Sequence, residues 1–139
     1  MRINTYLYFN GDCEEAFKFY ERVLGGKIVA MMTHGGSPAA EHASPDMQDK
    51  IMHALLTIGD RDLMGSDLPP EYKEDMKGFS VALHVDDPAE ADRLFNDLAE
   101  GGKVVMQIEQ TFWAVRFGML VDRFGTPWMV NCAPAEAKG

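Results

Sequence analysis

Two histidines and two tyrosines stand in apolar segments of this chain where alternation could direct them to a common surface. His53 lies in "IMHALLTI" and His84 in "FSVALHV", while Tyr6 and Tyr8 lie in "INTYLYF". A pocket histidine can contact a ligand or act as a general base, because its ordinary pKa lies near neutrality. A tyrosine adds a hydroxyl to an apolar ring. The simpler interpretation is that each is a packed side chain whose polar atom is satisfied within the protein.

Arg116 and Cys13 are the other reactive candidates. Arg116 is a charge inside the apolar segment "WAVRFGMLV". It could pair with a carboxylate, or its planar fork could bind the carboxylate or phosphonate of a ligand. Cys13 falls in the first turn of a predicted helix, where the helix dipole lowers a thiol pKa. Because Asp12 and Glu14 oppose that effect, we expect an inert thiol.

The bulk composition limits the classes of function. The chain has 139 residues, a net charge of −9 and a pI of about 4.8. An acidic surface repels phosphate backbones, so a nucleic-acid partner is not expected. No apolar run approaches the roughly 18 residues that span a bilayer, and two cysteines make no disulfide framework. We therefore expect one cytoplasmic domain over residues 1–139 that does not act at a membrane.

One segment occurs twice. "DCEEAFKFYERVLGGKIV" at 12–29 returns as "DPAEADRLFNDLAEGGKVV" at 87–105. Each copy has apolar residues at helical spacing, and each begins with an aspartate followed three residues later by a glutamate, as in a capping box. Each ends in Gly-Gly, which suits a left-handed helix end. The sequence therefore predicts two equivalent helices within an internal repeat of 1–67 and 78–133.

Predicted strands surround both helices in the same order. A strand precedes each helix, another follows the Gly-Gly-Lys, and a hairpin completes the half. The expected strands, apart from the two after Gly-Gly, are 3–9, 51–58, 62–67, 79–85, 113–121 and 126–131. This order predicts an α+β fold of tandem βαβββ modules, whose sheets curl around a shared cleft because one helix covers only one sheet face.

Strand alternation assigns the side chains to faces. The helix side should take the apolar positions, including Ile3 and Phe79. The predicted cleft-facing side chains, which are our candidate ligand contacts, are Tyr6, Tyr8, His53, Ser80, His84, Arg116, Met129 and Asn131. Arg116 is expected to point there together with Ala114 and Gly118.

Three segments carry a family resemblance: "YLYFNGDCEEAFKFYERVLGGKI", "KIMHALLTIGDRDLMGSD" and "GGKVVMQIEQTFWAVRFGMLVDRFGTPWMVN". They resemble PhnB-like proteins of the vicinal oxygen chelate superfamily, which has the glyoxalase/bleomycin-resistance/dioxygenase fold. The resemblance implies a divalent metal held by one side chain from each of four strands, at positions that fall on Asn4, His53, Ser80 and Met129. Of these only His53 is a common ligand for such a metal. A rearranged site of His53, His84 and one oxygen ligand is the alternative.

Two functions follow from the resemblance and this depleted ligand set. The first is binding of a small, partly apolar ligand, which could be anionic, with no cofactor expected. The alternative is a metal-dependent enzyme of the lyase, isomerase, thiol transferase or dioxygenase type. The resemblance and open strand edges also suggest a homodimer. The Gly- and Pro-containing loop 34–49 is either a surface loop, or a lid or dimer contact.

Overall fold

A computed structural model describes residues 1–134. They divide into two compact units, the first spanning Met1–Asp75 and the second beginning at Met76. The first unit contains, in chain order, β1 (Thr5–Phe9), α1 (Cys13–Leu24), β2 (Lys27–Thr33), β3 (Ile51–Ile58) and β4 (Arg61–Asp67). Its sheet has the order β1-β4-β3-β2, in which β1 runs parallel to β4 and the other neighbours are antiparallel.

The second unit repeats this connectivity. It contains β5 (Val81–Val85), α2 (Pro88–Ala99), β6 (Lys103–Glu109), β7 (Arg116–Val121) and β8 (Pro127–Cys132). The sheet order is β5-β8-β7-β6, again with one parallel and two antiparallel pairings. The α+β class and the two βαβββ modules predicted from the repeat are confirmed. No helix within residues 1–134 is long and apolar enough to cross a membrane.

The two helices begin in different ways. Asp87 caps α2 as predicted, because its Oδ1 accepts a hydrogen bond from the Ala89 amide at 3.1 Å. The prediction that Asp12 caps α1 is wrong, since its side chain makes no capping hydrogen bond. Asp67, at the end of β4, accepts instead from the amides of Gly11 and Cys13 at 3.0 Å and, through its other oxygen, from the Ile51 amide at 2.9 Å.

Each Gly-Gly pair does two separate things. The first glycine is left-handed, with φ of 75° at Gly25 and 74° at Gly101, and turns the chain out of the helix. The second lies against the hairpin backbone. A Cβ at Gly26 would lie 2.6 Å from the Thr57 carbonyl oxygen, and one at Gly102 would lie 2.3 Å from that of Val121. The pair therefore sets both the end of the helix and the closeness of the next strand.

Three predicted strands begin two or three residues later than expected. β5 starts at Val81, and Phe79, which was expected to face the helix, precedes it and is 45% exposed. β1 starts at Thr5, and Ile3 is 88% exposed, so its expected packing on the helix is wrong. β7 starts at Arg116 rather than at residue 113, because Thr111 closes a turn before it. The Thr111 hydroxyl oxygen accepts from the Ala114 amide, and the Thr111 amide donates to the Ala114 carbonyl, both at 3.0 Å.

Each unit has its core between one helix and one sheet face. The fully buried side chains include Leu7, Phe9, Phe17, Tyr20 and Leu56 in the first unit, and Phe95, Leu98, Leu120, Trp128 and Val130 in the second. Burial of one aliphatic or aromatic side chain of this size contributes at most about 1.5–3 kcal/mol to the free energy of unfolding. In the second core Asp122 accepts from Trp128 Nε1 at 2.8 Å and from two amides of its own turn, Phe124 and Thr126.

The loop between β2 and β3 is internally hydrogen-bonded. Its ends are joined by His34 N to Lys50 O at 2.9 Å and Gly35 N to Gln48 O at 2.8 Å. The Gln48 side chain donates to the Ala40 and Ala43 carbonyls at 3.0 and 2.9 Å. Two short 3-10 turns, at Ala40–His42 and Pro45–Met47, lie between these contacts. The loop therefore has a defined shape, and its role as a lid or dimer contact stays a prediction.

Candidate functional site

Each unit has one sheet face that its own helix does not cover, and we call these the first and second open faces. On the first, Tyr6 pairs with Met64, which pairs with Leu55, and His53 pairs with Met32. Side chains paired directly across strands share a face. The first open face therefore presents Tyr6, Tyr8, Met32, His53, Leu55 and Met64.

Tyr6 and His53 form a hydrogen-bonded pair on the first open face. The Tyr6 hydroxyl oxygen lies 3.1 Å from His53 Nδ1, and the two rings stack with centroids 5.7 Å apart. Tyr8 adds a second ring whose centroid is 5.2 Å from that of Tyr6. If Tyr6 donates to Nδ1, then Nε2 carries the proton and is a donor; in the other tautomer Nε2 is an acceptor and the tyrosine hydroxyl can donate. In either form the bond fixes the orientation of the imidazole.

The second open face carries a second histidine and a group of methionines. His84 Nδ1 lies 3.3 Å from Asn131 Nδ2, and the two residues are cross-strand partners. Met129 pairs with Ala82 on one side and with Met119 on the other. Met106, Phe117 and Met119 also lie on this face and were not selected from the sequence. The strand alternation that selected Met129 would have found them, had the strand after Gly102 and the register of β7 been assigned correctly.

The expected position of Arg116 on an open face is wrong. Its partner across the sheet is Cys132, which is buried against the helix-covered side, and its Nε donates to Asp92 Oδ1 of α2 at 2.7 Å. Gly118 lies on the same side, since a Cβ there would come 2.6 Å from the Phe95 ring. The reason is packing against α2: Asp92 pairs with Arg116 and the Phe95 ring occupies the space above Gly118, so Phe117 and Met119 face away from the helix.

The remaining predicted residues, Ser80 and Asn4, lie just before the first residue of a strand. Ser80 is half-buried and directly precedes β5, two residues before Ala82. Asn4 is exposed and directly precedes β1. Asn4 and His53 belong to the first unit, and Ser80 and Met129 belong to the second.

The side chains at the four implied metal positions do not fit the divalent ion that the resemblance implies, because three of the four are weak or soft neutral ligands. Asn4, Ser80 and Met129 offer an amide, a hydroxyl and a thioether, and only His53 offers a nitrogen ligand of the usual kind. Within residues 1–134 there is no group of three or more His, Cys, Asp or Glu side chains that could hold a metal ion. The donor types at these four positions therefore do not match a divalent-metal site of the kind that the resemblance implies.

Cys13 is not placed for nucleophilic chemistry. Its side chain is fully buried in the first unit. Burial raises the pKa of the thiol well above its ordinary value, and the negative charges of Asp67, Asp12 and Glu14 raise it further. The expectation of an inert thiol agrees with this environment.

Two cavities lie away from the open faces, at the start of α1. One of about 400 Å³ and another of about 300 Å³ share Gly11 and Lys50 in their walls. Lys50 Nζ donates to the Gly11 carbonyl at 3.0 Å, and the Asp67 carboxylate in the larger cavity accepts three amide hydrogens. These polar groups hold the helix start together, so we place the functional site on the open faces.

Comparison with known proteins agrees with this architecture. Residues 2–130 match the family model described as the Glyoxalase/Bleomycin resistance protein/Dioxygenase superfamily. Protein YjdN of Escherichia coli (strain K12) is 37% identical in an alignment that covers 94% of this chain and 95% of that protein.

Two solved structures extend the comparison. Protein PA1353 from Pseudomonas aeruginosa is 53% identical with a TM-score of 0.89, over 96% of this chain and 98% of that one. A PhnB protein from Bacillus cereus, which carries a 3-demethylubiquinone-9 3-methyltransferase name, is 25% identical with a TM-score of 0.76, over 96% of this chain and all of that one. With its tandem βαβββ modules, the chain belongs to the glyoxalase/bleomycin resistance protein/dioxygenase superfamily and has PhnB-like neighbours within it.

Proposed function

We propose that this protein binds a small, partly apolar molecule on the first open face, with Tyr6 and His53 as its polar contacts. The hydrogen bond between the Tyr6 hydroxyl and His53 Nδ1 is the observation that supports this most directly. A bond of this kind fixes the ring orientation of a histidine. It therefore prepares Nε2 and the tyrosine hydroxyl for a ligand.

The surroundings of the pair suit an apolar ligand body. Met32, Leu55 and Met64 lie on the same face, and methionine side chains adapt to ligands of irregular shape. Tyr8 supplies a further ring with a hydroxyl. Since Arg116 is held by Asp92 on the helix-covered side, an anionic group on the ligand would be met by Tyr6, Tyr8 and His53 instead.

The second open face offers a similar set of contacts. His84 and Asn131 are its hydrogen-bonded polar pair, Met129 is its apolar neighbour, and Ser80 lies just before β5. We propose these four residues as the ligand contacts of the second open face. The metal-dependent alternative would need several imidazole or carboxylate ligands, and the residues at the implied positions supply one imidazole and no carboxylate.

A ligand screen with matched variants tests the proposal. Small aromatic and aliphatic compounds bearing hydroxyl, carbonyl or carboxylate groups would be screened by ligand-observed NMR and their affinities measured by calorimetry. We expect Tyr6→Phe and His53→Gln each to weaken a hit about tenfold, as the loss of roughly one hydrogen bond implies. Tyr72→Phe, which changes an exposed tyrosine of a 3-10 turn, is the control.

Two results would contradict the proposal. One is a set of hits whose affinity neither Tyr6→Phe nor His53→Gln changes. The other is a stoichiometric divalent metal, found by metal analysis after purification without chelators and by titration with Mn, Zn, Ni and Fe, that is lost in His53→Ala. The second result would establish the metal-dependent alternative.

We also propose a homodimer, as the sequence predicts. An exposed aromatic pair supports it: Phe112 is 97% and Trp113 is 47% exposed, and their rings lie 4.8 Å apart on the turn that Thr111 closes. Light scattering after gel filtration should give twice the chain mass, and the double change Phe112→Ser with Trp113→Ser should reduce it. A monomeric wild-type protein would refute the proposal.

A further inference from the structure

Three methionines form a continuous row across the second open face, and we call them the methionine row. Met106 on β6 pairs with Met119 on β7, which pairs with Met129 on β8. Residues directly opposite each other on antiparallel strands have Cβ atoms about 4.5–5.5 Å apart. The three side chains therefore start from adjacent positions on one face.

The row is accessible and its side chains are adaptable. The neighbouring positions Gly118 and Leu120 face α2 or the core beneath it, which leaves Met119 on the side that α2 does not cover. Met106 is 42% exposed, and the other two are half-buried. Because methionine has three rotatable side-chain bonds, the outer two sulfurs can converge toward the central one.

Three converging thioethers have a definite chemical preference. Thioether sulfur is a soft, neutral ligand that selects Cu(I) over hard divalent ions. Glu109 pairs with Phe117 and so lies on the same face, one row from Met119. The chain carries a net charge of −9, which favours a cation over an anion.

From this arrangement we propose that the methionine row binds one soft monovalent cation, Cu(I) or Ag(I), through the sulfurs of Met106, Met119 and Met129. The cysteines are not part of this site. Cys132 is buried on the helix-covered side of β8, and Cys13 is buried in the first unit. The proposal also differs from a divalent centre, because it uses Met129 as a thioether ligand and needs neither His53 nor Asn4.

Methyl NMR of the intact chain tests the proposal, with Ag(I) as a probe that needs no reductant. The methionine methyl groups would be labelled with ¹³C and titrated with silver nitrate in chloride-free buffer. We expect the methyl signals of the methionine row to move together and to saturate at one added ion per chain, apart from any ion consumed by thiols. A titration of Cys13→Ala with Cys132→Ala measures that thiol contribution.

Matched substitutions separate coordination from apolar packing. Met119→Leu conserves side-chain volume and apolarity, so a purely apolar surface would tolerate it. We expect this variant to lower Ag(I) affinity by at least about tenfold, the lower limit for changes even outside the ligand shell. The control is Met31→Leu, whose position on β2 pairs with buried Ala54 on the helix-covered face.

Three results would overturn the proposal: no movement of the row signals, movement only while thiols are present, or an affinity that Met119→Leu leaves unchanged. Any of them would leave the methionine row as an apolar surface. None depends on Tyr6 or His53, so the ligand-binding proposal for the first open face is tested separately.

Discussion

Arg116 Nε lies 2.7 Å from Asp92 Oδ1, so the first residue of β7 is joined to helix α2 by an ion pair. The guanidinium also donates to the Ile108 carbonyl of β6 at 3.4 Å. The side chains of Arg116 and Asp92 are 28% and 42% exposed. Arg116, which the sequence offered as a residue that could bind an anionic ligand, thus links three elements of the second unit.

We expect Arg116→Met and Asp92→Asn each to lower the free energy of unfolding by about 0.5–1 kcal/mol, the range for partly exposed pairs. Urea denaturation of both single variants and the double variant would give the coupling between them. Arg61→Met is the control, since the Arg61 and Asp60 side chains are 86% and 93% exposed and lie 3.7 Å apart. Unchanged stability of Arg116→Met, combined with weaker ligand binding, would support the interpretation that Arg116 binds an anionic group of the ligand.

Asp67→Asn should cost about 2–3 kcal/mol of stability, because one carboxylate oxygen that accepts an amide hydrogen becomes an amide donor. The affected bonds are those from Gly11, Cys13 and Ile51. Asp87→Ala, which removes the single capping bond of α2, should cost only about 1 kcal/mol. Chemical denaturation of the two variants measures the difference, and an equal or reversed order would show that Asp67 does not organise the start of α1.

Gly102→Ala should destabilise the fold by about 1–3 kcal/mol through overpacking, because its Cβ would lie 2.3 Å from the Val121 carbonyl oxygen. Gly25→Ala tests the other kind of glycine. No heavy atom lies within 4 Å of its Cβ position, and its φ of 75° should cost about 1–2 kcal/mol. Thermal and urea unfolding would compare the two. A second-site suppressor of Gly102→Ala that maps to the hairpin after β7 would support the steric cause, whereas unchanged stability of the alanine variant would refute it.

Cys13 makes stability depend on alkaline pH. Burial raises its pKa above the ordinary thiol value of 9.0, so the folded state keeps the proton that the unfolded chain releases. The stabilisation is complete below pH 9 and is lost as the pH rises above it. We therefore expect the stability difference between wild type and Cys13→Ala to shift in favour of the variant between pH 7.5 and pH 10, as measured by urea denaturation.

Thiol labelling checks the same feature independently. Native protein at pH 8 should react at Cys13 only through unfolding, so its labelling rate should rise with urea. Rapid labelling of the native protein, or a pH-independent stability difference, would contradict the burial of this thiol.

The sequence predicted what depends on neighbouring residues. Both helices follow from apolar spacing and from the Gly-Gly pairs, and β3 has the predicted bounds of 51–58. Tyr6 and His53 were correctly assigned to one face by strand alternation. The same local rules explain why the repeat leads directly to two βαβββ modules.

Contacts between distant residues account for the failures. Asp12 has the right residue type and position for a cap, yet the carboxylate of Asp67 takes the amides of that turn. Arg116 was assigned to the wrong face because its partner, Asp92 of α2, lies 24 residues away in the chain and the sequence alone did not pair them. The methionine row depends on the register of three strands, which no single segment of sequence specifies.

The different helix starts have a consequence for the order of folding. Asp87 lies beside the turn that it caps, whereas the Cys13 amide bonds to a carboxylate 54 residues further along the chain. Local contacts form before distant ones, because closing a long loop costs entropy. We expect pulse-labelled hydrogen exchange during refolding to protect the first amides of α2 before those of α1, and simultaneous protection would contradict this. During refolding, the helix nearer the C-terminus, α2, would then complete its first turn before the helix nearer the N-terminus, α1.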